Sequence, residues 1–298
     1  MRGLAAAQTL AFLDRADALA AGASPRVPPG AVCLTLFFEA STRTRVSFEI
    51  AAKRLGLDVT SLTIAASSAQ KGETLRDTAE NLLAMRRGAP TVIVVRHAQS
   101  GAPARLAAAI DGRARVANAG DGLHEHPTQA LLDCLALRRR FGTIAKLEIA
   151  IVGDLLHSRV ARSDLFAMTA LGANVRLCAP ATLLPPGLAA LGAAMVTTDI
   201  DEAIAGADAV IALRMQRERM AQGLVPSLSA YHRDYGITNA RLARAKPEAV
   251  VMHPGPMNRG VEIDSEVADG PRSIILDQVQ AGVDARMAAL EWLLEETA

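Results

Sequence analysis

Short apolar runs alternate with longer segments of helical spacing along almost the whole chain, and no other feature restricts its fold as much. The runs read as strands near Val32–Phe38, Val59–Ile64, Thr91–Arg96, Arg115–Asn118, Leu147–Gly153, Asn174–Cys178, Ala194–Thr197, Ala209–Leu213 and Ala249–Met252. Helical patterns fall between them, at Arg45–Leu55, Leu75–Arg86, Ala102–Ile110, Thr128–Phe141, Val160–Leu171 and Gly282–Glu296. Strands that alternate with helices pair in parallel, because a crossover helix returns the chain to the same end of the sheet. The expected class is therefore α/β, with two doubly wound domains, each a parallel sheet flanked by helices. Four strands precede the helix after His126 and five follow it, so that helix is the expected bridge. The expected domains are residues 1–127 and 128–281, with the terminal helix 282–298 packing back on the first.

Composition removes several alternatives. Half of the 298 residues are hydrophobic, enough for a sizeable core. A formal charge of +1 and an aromatic content of 3% argue against a nucleic-acid binder, which needs a basic face and stacking platforms. Cys33, Cys134 and Cys178 form no C-x-x-C pair and read as small buried residues of a reducing compartment. No apolar stretch reaches membrane-spanning length, and the first residues lack a signal-peptide core. The expectation is a cytoplasmic protein without membrane contact. Pro180, Pro185 and Pro186 mark loops, and Arg217 to Ile237 reads as a long polar loop, a functional or mobile segment.

In open α/β sheets ligands gather beyond the carboxyl ends of strands. The polar motifs of this chain fall there repeatedly. Ser41-Thr42-Arg43-Thr44-Arg45 follows the first strand and opens a helix, where unpaired backbone N–H groups attract anions and Arg43 offers a planar fork. The plainer reading is a capped helix start with surface arginines. Ser67 to Thr74 is a polar loop in which Lys71 can bring a point charge to an anion or simply stay solvated. Arg96 ends the third strand.

His124-Glu125-His126-Pro127-Thr128-Gln129 lacks the spacing of a helical zinc pair, so no metal is expected. His126 at a helix start instead suits a neutral hydrogen-bond donor, with Gln129 one turn on. Gly153-Asp154 lacks the dinucleotide glycines, which leaves Arg159 at the next helix start as a carboxylate ligand. Arg214-Met215-Gln216 supplies another guanidinium, and His253-Pro254-Gly255-Pro256 forms a rigid turn, binding or merely structural.

Taken together, F-F-E-x-S-T-R-T-R, K-G-E-T, H-P-T-Q, G-D-L-x-x-x-R-V-x-x-S, R-x-Q and H-P-G-P resemble the catalytic chains of the aspartate carbamoyltransferase family, in the family's order. S-T-R-T-R and H-P-x-Q are shared with ornithine carbamoyltransferases, while H-P-T-Q, Arg159, Arg214-Met215-Gln216 and H-P-G-P discriminate. The ornithine enzymes carry cysteine where this chain has Thr128 and Pro254, and two substrate-facing arginines suit a dicarboxylate. The resemblance implies transfer of the carbamoyl group of carbamoyl phosphate to L-aspartate, an early step of pyrimidine synthesis, without a cofactor, in a cleft between the domains.

By the same resemblance, Ser41, Thr42, Arg43 and Thr44 would hold the phosphate. Thr44, Arg96 and His126 would polarise the carbonyl. Gln129 and the backbone of Gly255 and Pro256 would hold the carbamoyl amide. Arg159, Arg214 and Gln216 would bind aspartate. Ser67 and Lys71 would arrive from an adjacent subunit, Lys71 also reaching aspartate, which implies a homotrimer with shared sites, alone or joined by regulatory chains or a dihydroorotase. The segment before the first strand is short for the family, so its first helix is expected to be trimmed. The competing readings are a carbamoyltransferase for ornithine or an acylated ornithine, an inactive homologue acting as a partner, and a nicotinamide dehydrogenase. The last lacks its glycine fingerprint.

Overall fold

The computed structural model describes residues 1–63, 73–216 and 223–295. In chain order the elements are α1 (Ala6–Ala20), β1 (Val32–Phe37), α2 (Thr42–Arg54), β2 (Asp58–Thr63), α3 (Leu75–Met85), β3 (Thr91–His97), α4 (Ala102–Ala109), β4 (Arg115–Asp121), α5 (Pro127–Phe141), β5 (Glu148–Val152), α6 (Arg159–Ala170), β6 (Asn174–Cys178), β7 (Met195–Thr197), α7 (Ile200–Ile204), β8 (Ala209–Ala212), α8 (Leu228–Tyr235), α9 (Asn239–Leu242), β9 (Val250–Met252), α10 (Ser265–Ala268) and α11 (Ile275–Glu295). They make two compact units. The first comprises Leu10–Leu132 and Ala281–Ala298, the second Met1–Thr9 and Asp133–Gln280.

The first unit carries a four-stranded sheet in the order β2-β1-β3-β4, with every pairing parallel. β1 is buried from its second residue onward, as a strand covered on both faces must be. Leu34, Leu36, Ile93 and Val95 meet Ala79 and Leu83 of α3 and Leu106 of α4 in one apolar cluster. The order reverses between β1 and β3: β2 follows β1 on one side, while β3 and β4 run off the other. The connections leaving these two strands therefore diverge, which opens a crevice at their carboxyl ends.

The second unit repeats the plan with five parallel strands in the order β7-β6-β5-β8-β9. Its reversal lies between β5 and β8. Ala150, Val152, Val210, Ala212 and Val251 pack with Ile200, Ala203 and Ile204 of α7 and Leu242 of α9. Two doubly wound α/β units with parallel sheets are thus present, as the alternation predicts.

Several boundaries differ from expectation. α2 starts at Thr42 rather than Arg45: Ser41 is the non-helical N-cap, and the hydroxyl–arginine motif becomes the helix's first turn. The terminal helix starts at Ile275 instead of Gly282. The polar stretch expected as one loop from Arg217 to Ile237 contains α8, whose N-cap Ser227 accepts a hydrogen bond from Ala230 N. Its few apolar residues hid the helical period. The segment before β1 holds a fifteen-residue helix.

Within the first unit α1 is pinned to α11. Arg15 Nη2 donates to Glu291 Oε2 at 2.8 Å, and the Arg26 backbone amide donates to the same oxygen at 2.8 Å. Burial opposes the Glu291 charge, but these donors outweigh it and hold the carboxyl below its ordinary value. A depressed carboxyl stabilises the fold above its unfolded value and ceases to do so as pH falls through the folded one. Glu291→Gln is therefore expected to lower the melting temperature at pH 7, with the gap to wild type closing near pH 4 and below in a thermal scan.

Candidate active site

At the carboxyl end of β1 the chain passes through Phe38, Glu39 and Ala40 to Ser41, the N-cap of α2. The Ser41 side chain makes no capping hydrogen bond, so its hydroxyl is not consumed by the helix start. Thr42 and Arg43 are exposed in the first turn, while Thr44 is buried. The two arginines of this motif separate: Arg45 Nε lies 3.7 Å from Glu49 one turn on, which leaves Arg43 as the solvent-facing cation of the helix start.

Arg96 is brought beside this turn by register, since it pairs with Phe37 across the β1–β3 ladder. Its guanidinium is largely sheltered. Nη1 donates to Ala119 O at 2.8 Å, and Nε lies 3.3 Å from Glu39 Oε2. These contacts aim a long side chain that would otherwise sample many rotamers.

β4 runs to Asp121, three residues further than expected, and a tight turn then delivers His126 and Gln129. Asp121 organises the turn. Its carboxylate accepts from Gly101 N at 2.6 Å, from Asn118 Nδ2 at 2.8 Å and from Glu125 N at 3.2 Å, and it contacts His124 Nδ1 at 3.0 Å. Burial works against the charge, yet the bonds from Asn118, Gly101 and His124 hold Asp121 below the usual carboxylate range. His126 and Gln129 are both buried, His126 immediately before α5 and Gln129 in its first turn. Ser41 to Thr44, Arg96, His126 and Gln129 thus follow the carboxyl ends of β1, β3 and β4 at one edge of one sheet.

The second unit builds a matching edge. Gly153 directly follows β5 with φ of +134°, and a Cβ there would sit 2.9 Å from Leu213 O and 3.2 Å from Tyr231 Oη. Only glycine fits so close an approach of two strands. Asp154 follows, fully buried, and accepts from His157 N at 3.1 Å. Ser158 caps α6 through Ala161 N, which places the buried Arg159 as the helix's first residue.

Beyond β8, the half-buried Arg214 and Gln216 flank the buried Met215. Their backbone is held by two buried acids, Met215 N by Glu262 Oε2 at 3.5 Å and Gln216 N by Asp154 Oδ2 at 3.3 Å. Beyond β9, Gly255 has φ of +66° and is joined to Pro256 by a cis peptide. Asn258 Nδ2 donates to Met215 O at 3.3 Å and to Glu262 Oε2 at 3.1 Å, tying this turn to the segment after β8.

Arg159, Arg214, Gln216, Gly255 and Pro256 therefore share the carboxyl edge of the second sheet. Ser67 and Lys71 lie outside the described residues. Sequence reasoning missed Asp121 and Glu262, whose partners include the backbone amides of Gly101 and Met215, remote in sequence. A glycine on each side of Asp121 was the one local signal.

The edges can hold anions through guanidinium forks and a helix start, and can offer donors to a carbonyl. Thiol chemistry is disfavoured: burial raises Cys33 and Cys178 to about 12 and Cys134 well above its ordinary value. Among the described residues no cluster of three or more His, Cys, Asp or Glu is placed to hold a metal ion. No helix among them is long and apolar enough to cross a membrane.

Comparison with known proteins agrees with both halves. Residues 1–139 match the family described as Aspartate/ornithine carbamoyltransferase, carbamoyl-P binding domain, and residues 145–293 match its Asp/Orn binding domain. The aspartate carbamoyltransferase catalytic subunit of Gluconobacter oxydans is 54% identical, over 98% of this chain and 94% of that protein. A crystal structure of aspartate transcarbamoylase from Trypanosoma cruzi, in complex with carbamoyl phosphate and aspartate, is similar with a TM-score of 0.84. The two are 32% identical, over 97% of this chain and 94% of the other. Ornithine carbamoyltransferase from Thermus thermophilus gives the same TM-score at 29% identity, over 98% and 96%. The fold is therefore common to both acceptor specificities, and sequence separates them.

Asp121→Ala leaves the Gly101 and Glu125 amides without their acceptor at a cost of about 1–3 kcal/mol for each that stays dry. The expected outcome is a drop of several degrees in melting temperature, read by thermal denaturation.

Proposed function

The chain belongs to the aspartate/ornithine carbamoyltransferase family, and from that membership we infer how its two sheet edges are used. It is an aspartate carbamoyltransferase: it moves the carbamoyl group of carbamoyl phosphate to the amino group of L-aspartate, giving N-carbamoyl-L-aspartate and phosphate. The observation that carries this reading is the 54% identity to a catalytic subunit of that activity over 98% of the chain. The pair Arg159 and Arg214 in the second unit supports it, since two guanidinium groups match a dicarboxylate and repel the cationic ornithine side chain.

In our reading the first unit takes carbamoyl phosphate. Ser41, Thr42, Arg43 and Thr44 hold the phosphate at the start of α2, where the helix end favours negative charge. Thr44, Arg96 and His126 donate to the carbamoyl oxygen. Gln129 and the backbone of Gly255 and Pro256 hold its NH₂, while Arg159, Arg214 and Gln216 hold aspartate. The deprotonated aspartate amine attacks the carbamoyl carbon. Charge developing on the carbonyl oxygen is met by Thr44, Arg96 and His126, and phosphate then leaves against Arg43. One phosphate oxygen accepts the amine proton, so no protein base is required. Carbamoyl phosphate is already an activated acyl donor, so transfer needs no cofactor. Much of the acceleration comes from holding two anions in reacting geometry against their repulsion.

We also propose a homotrimer in which Ser67 and Lys71 complete a neighbouring subunit's site, Lys71 reaching aspartate. The family motif alone supports that assignment. A cytoplasmic location fits the three buried free cysteines, which suit a reducing compartment.

A carbamoylation assay with carbamoyl phosphate and either L-aspartate or L-ornithine tests the reading. Product is expected with aspartate only. Arg43→Ala is expected to lower turnover by about 10²–10³, the usual loss for one transition-state donor. Arg214→Ala is expected to raise the KM for aspartate by about 10- to 100-fold, the worth of one charge-assisted hydrogen bond. Product from ornithine instead would overturn the acceptor assignment.

A further inference from the structure

Asp133 on α5 and Asp164 on α6 lie inside the second unit with no solvent exposure at all. Both oxygens of Asp164 are sealed from water, and no donor reaches either of them. What faces Asp164 is the carboxyl of Asp133. Two carboxylates cannot both stay charged in a dry interior, because each has lost its hydration and they repel. One proton shared between them removes the repulsion and converts an acceptor into a donor. Burial first, then the Asp133 charge and hydrogen bond, push the Asp164 carboxyl well above its ordinary value. The titratable groups facing it among the described residues are Asp133 and Cys134, both on α5, and the Cys134 thiol is itself held neutral by burial and by these two acids.

Asp133 has a second neighbour. Gln278 Nε2 donates to Asp133 Oδ1 at 2.6 Å, and Gln278 Oε1 accepts from His253 N at 2.9 Å. With an acceptor on one side and a donor on the other, this amide has one admissible orientation. His253 is equally constrained. Its Nδ1 accepts from Gly255 N at 2.8 Å, so the ring proton sits on Nε2, which faces Glu262 Oε1 at 3.1 Å. All of these side chains are buried. A continuous line of oriented polar groups thus runs from Asp164 to the backbone of Gly255.

We propose that Asp164 is a protonated positioning residue: it donates to Asp133, Asp133 orients Gln278, and Gln278 fixes the His253–Pro256 turn for the carbamoyl amide. This rests on the assignment of that turn to carbamoyl phosphate made above. None of the three touches substrate; they act through the turn.

Asp164→Asn keeps the donor and has no proton to lose, whereas Asp164→Leu and Gln278→Met break the line. The sign of the stability effect follows from the raised folded value. Wild-type stability is complete below the unfolded carboxyl value and declines as pH rises towards the folded one, a loss that asparagine escapes. In the full-length enzyme Asp164→Asn is therefore expected to melt above wild type at pH 8, with the difference shrinking towards pH 5. Its kcat and its KM for carbamoyl phosphate should stay within about twofold of wild type. Asp164→Leu and Gln278→Met should raise that KM and lower kcat by about tenfold, while the KM for aspartate holds, because misplacing one binding group is costly at the reacting centre.

Asp164→Asn melting below wild type at pH 8 would mean a charged Asp164 and end the proposal. Gln278→Met with wild-type kinetics would end it too, by leaving the line without a positioning role. Should Gln278→Met fail to fold, the Asp164→Asn melting comparison decides. That comparison needs no turnover, so an inactive wild type would defeat the functional reading while the buried pair is still read directly.

Discussion

Parallel strand pairing with one reversal of direction in each sheet is the constraint on which the rest of this molecule depends. Parallel strands put all their carboxyl ends on one edge, and the reversal separates the two loops that leave the central pair. In the first unit those loops carry Ser41 to Thr44 after β1 and Gln99 to Gly101 after β3, with Arg96 at the strand end itself. In the second they carry Asp154 to Arg159 after β5 and Arg214 to Gln216 after β8. Each unit therefore presents its cations where backbone does not fill the space. The ladder also sets their relative height, because Arg96 is the register partner of Phe37.

Guanidinium groups are long and conformationally expensive, so an edge rich in arginine binds well only if the chain around it is rigid. Buried carboxylates supply that rigidity. Asp121 holds the turn before His126, Asp154 and Glu262 hold the backbone on either side of Met215, and the half-buried Glu39 lies against Arg96. Three of these four accept from main-chain N–H groups. They satisfy amides that the ends of strands leave open, and each does so by a bond that a charged acceptor strengthens. An acid beside an anion site is unfavourable for the anion, yet here its charge is spent on backbone amides or on one face of an arginine.

The strand alternation and the placement of chemistry at strand ends were legible in the sequence, because hydrophobic period and motif order are local properties. All nine expected strands overlap an observed one, and the four-plus-five division holds. The strand order was not legible, since it depends on which crossover passes which face. Helix starts were misread where polar residues form the first turn, as at Thr42, and α8 was hidden in a polar stretch whose buried side is little more than Tyr231. Among the candidate site residues, the arginines, His126 and Gln129 announced themselves by motif. Asp121, Glu262 and Gln278 did not, because their roles rest on partners such as Gly101, Met215 and His253 that are remote in sequence.

A similar fold with an ornithine enzyme shows how little of acceptor choice resides in the scaffold. A common scaffold therefore accompanies either acceptor. What must differ is the charge offered at the second sheet's edge. The backbone at Arg159 is fixed there by the α6 cap, and the backbone beyond Arg214 by the bonds from Met215 and Gln216 to Glu262 and Asp154, so both side chains start from rigid main chain. On the proposed assignment of these arginines to aspartate, specificity for a dicarboxylate comes as much from excluding a positive acceptor as from attracting a negative one. The buried acids that hold this edge are in that sense part of the acceptor choice, although none of them is placed on the substrate.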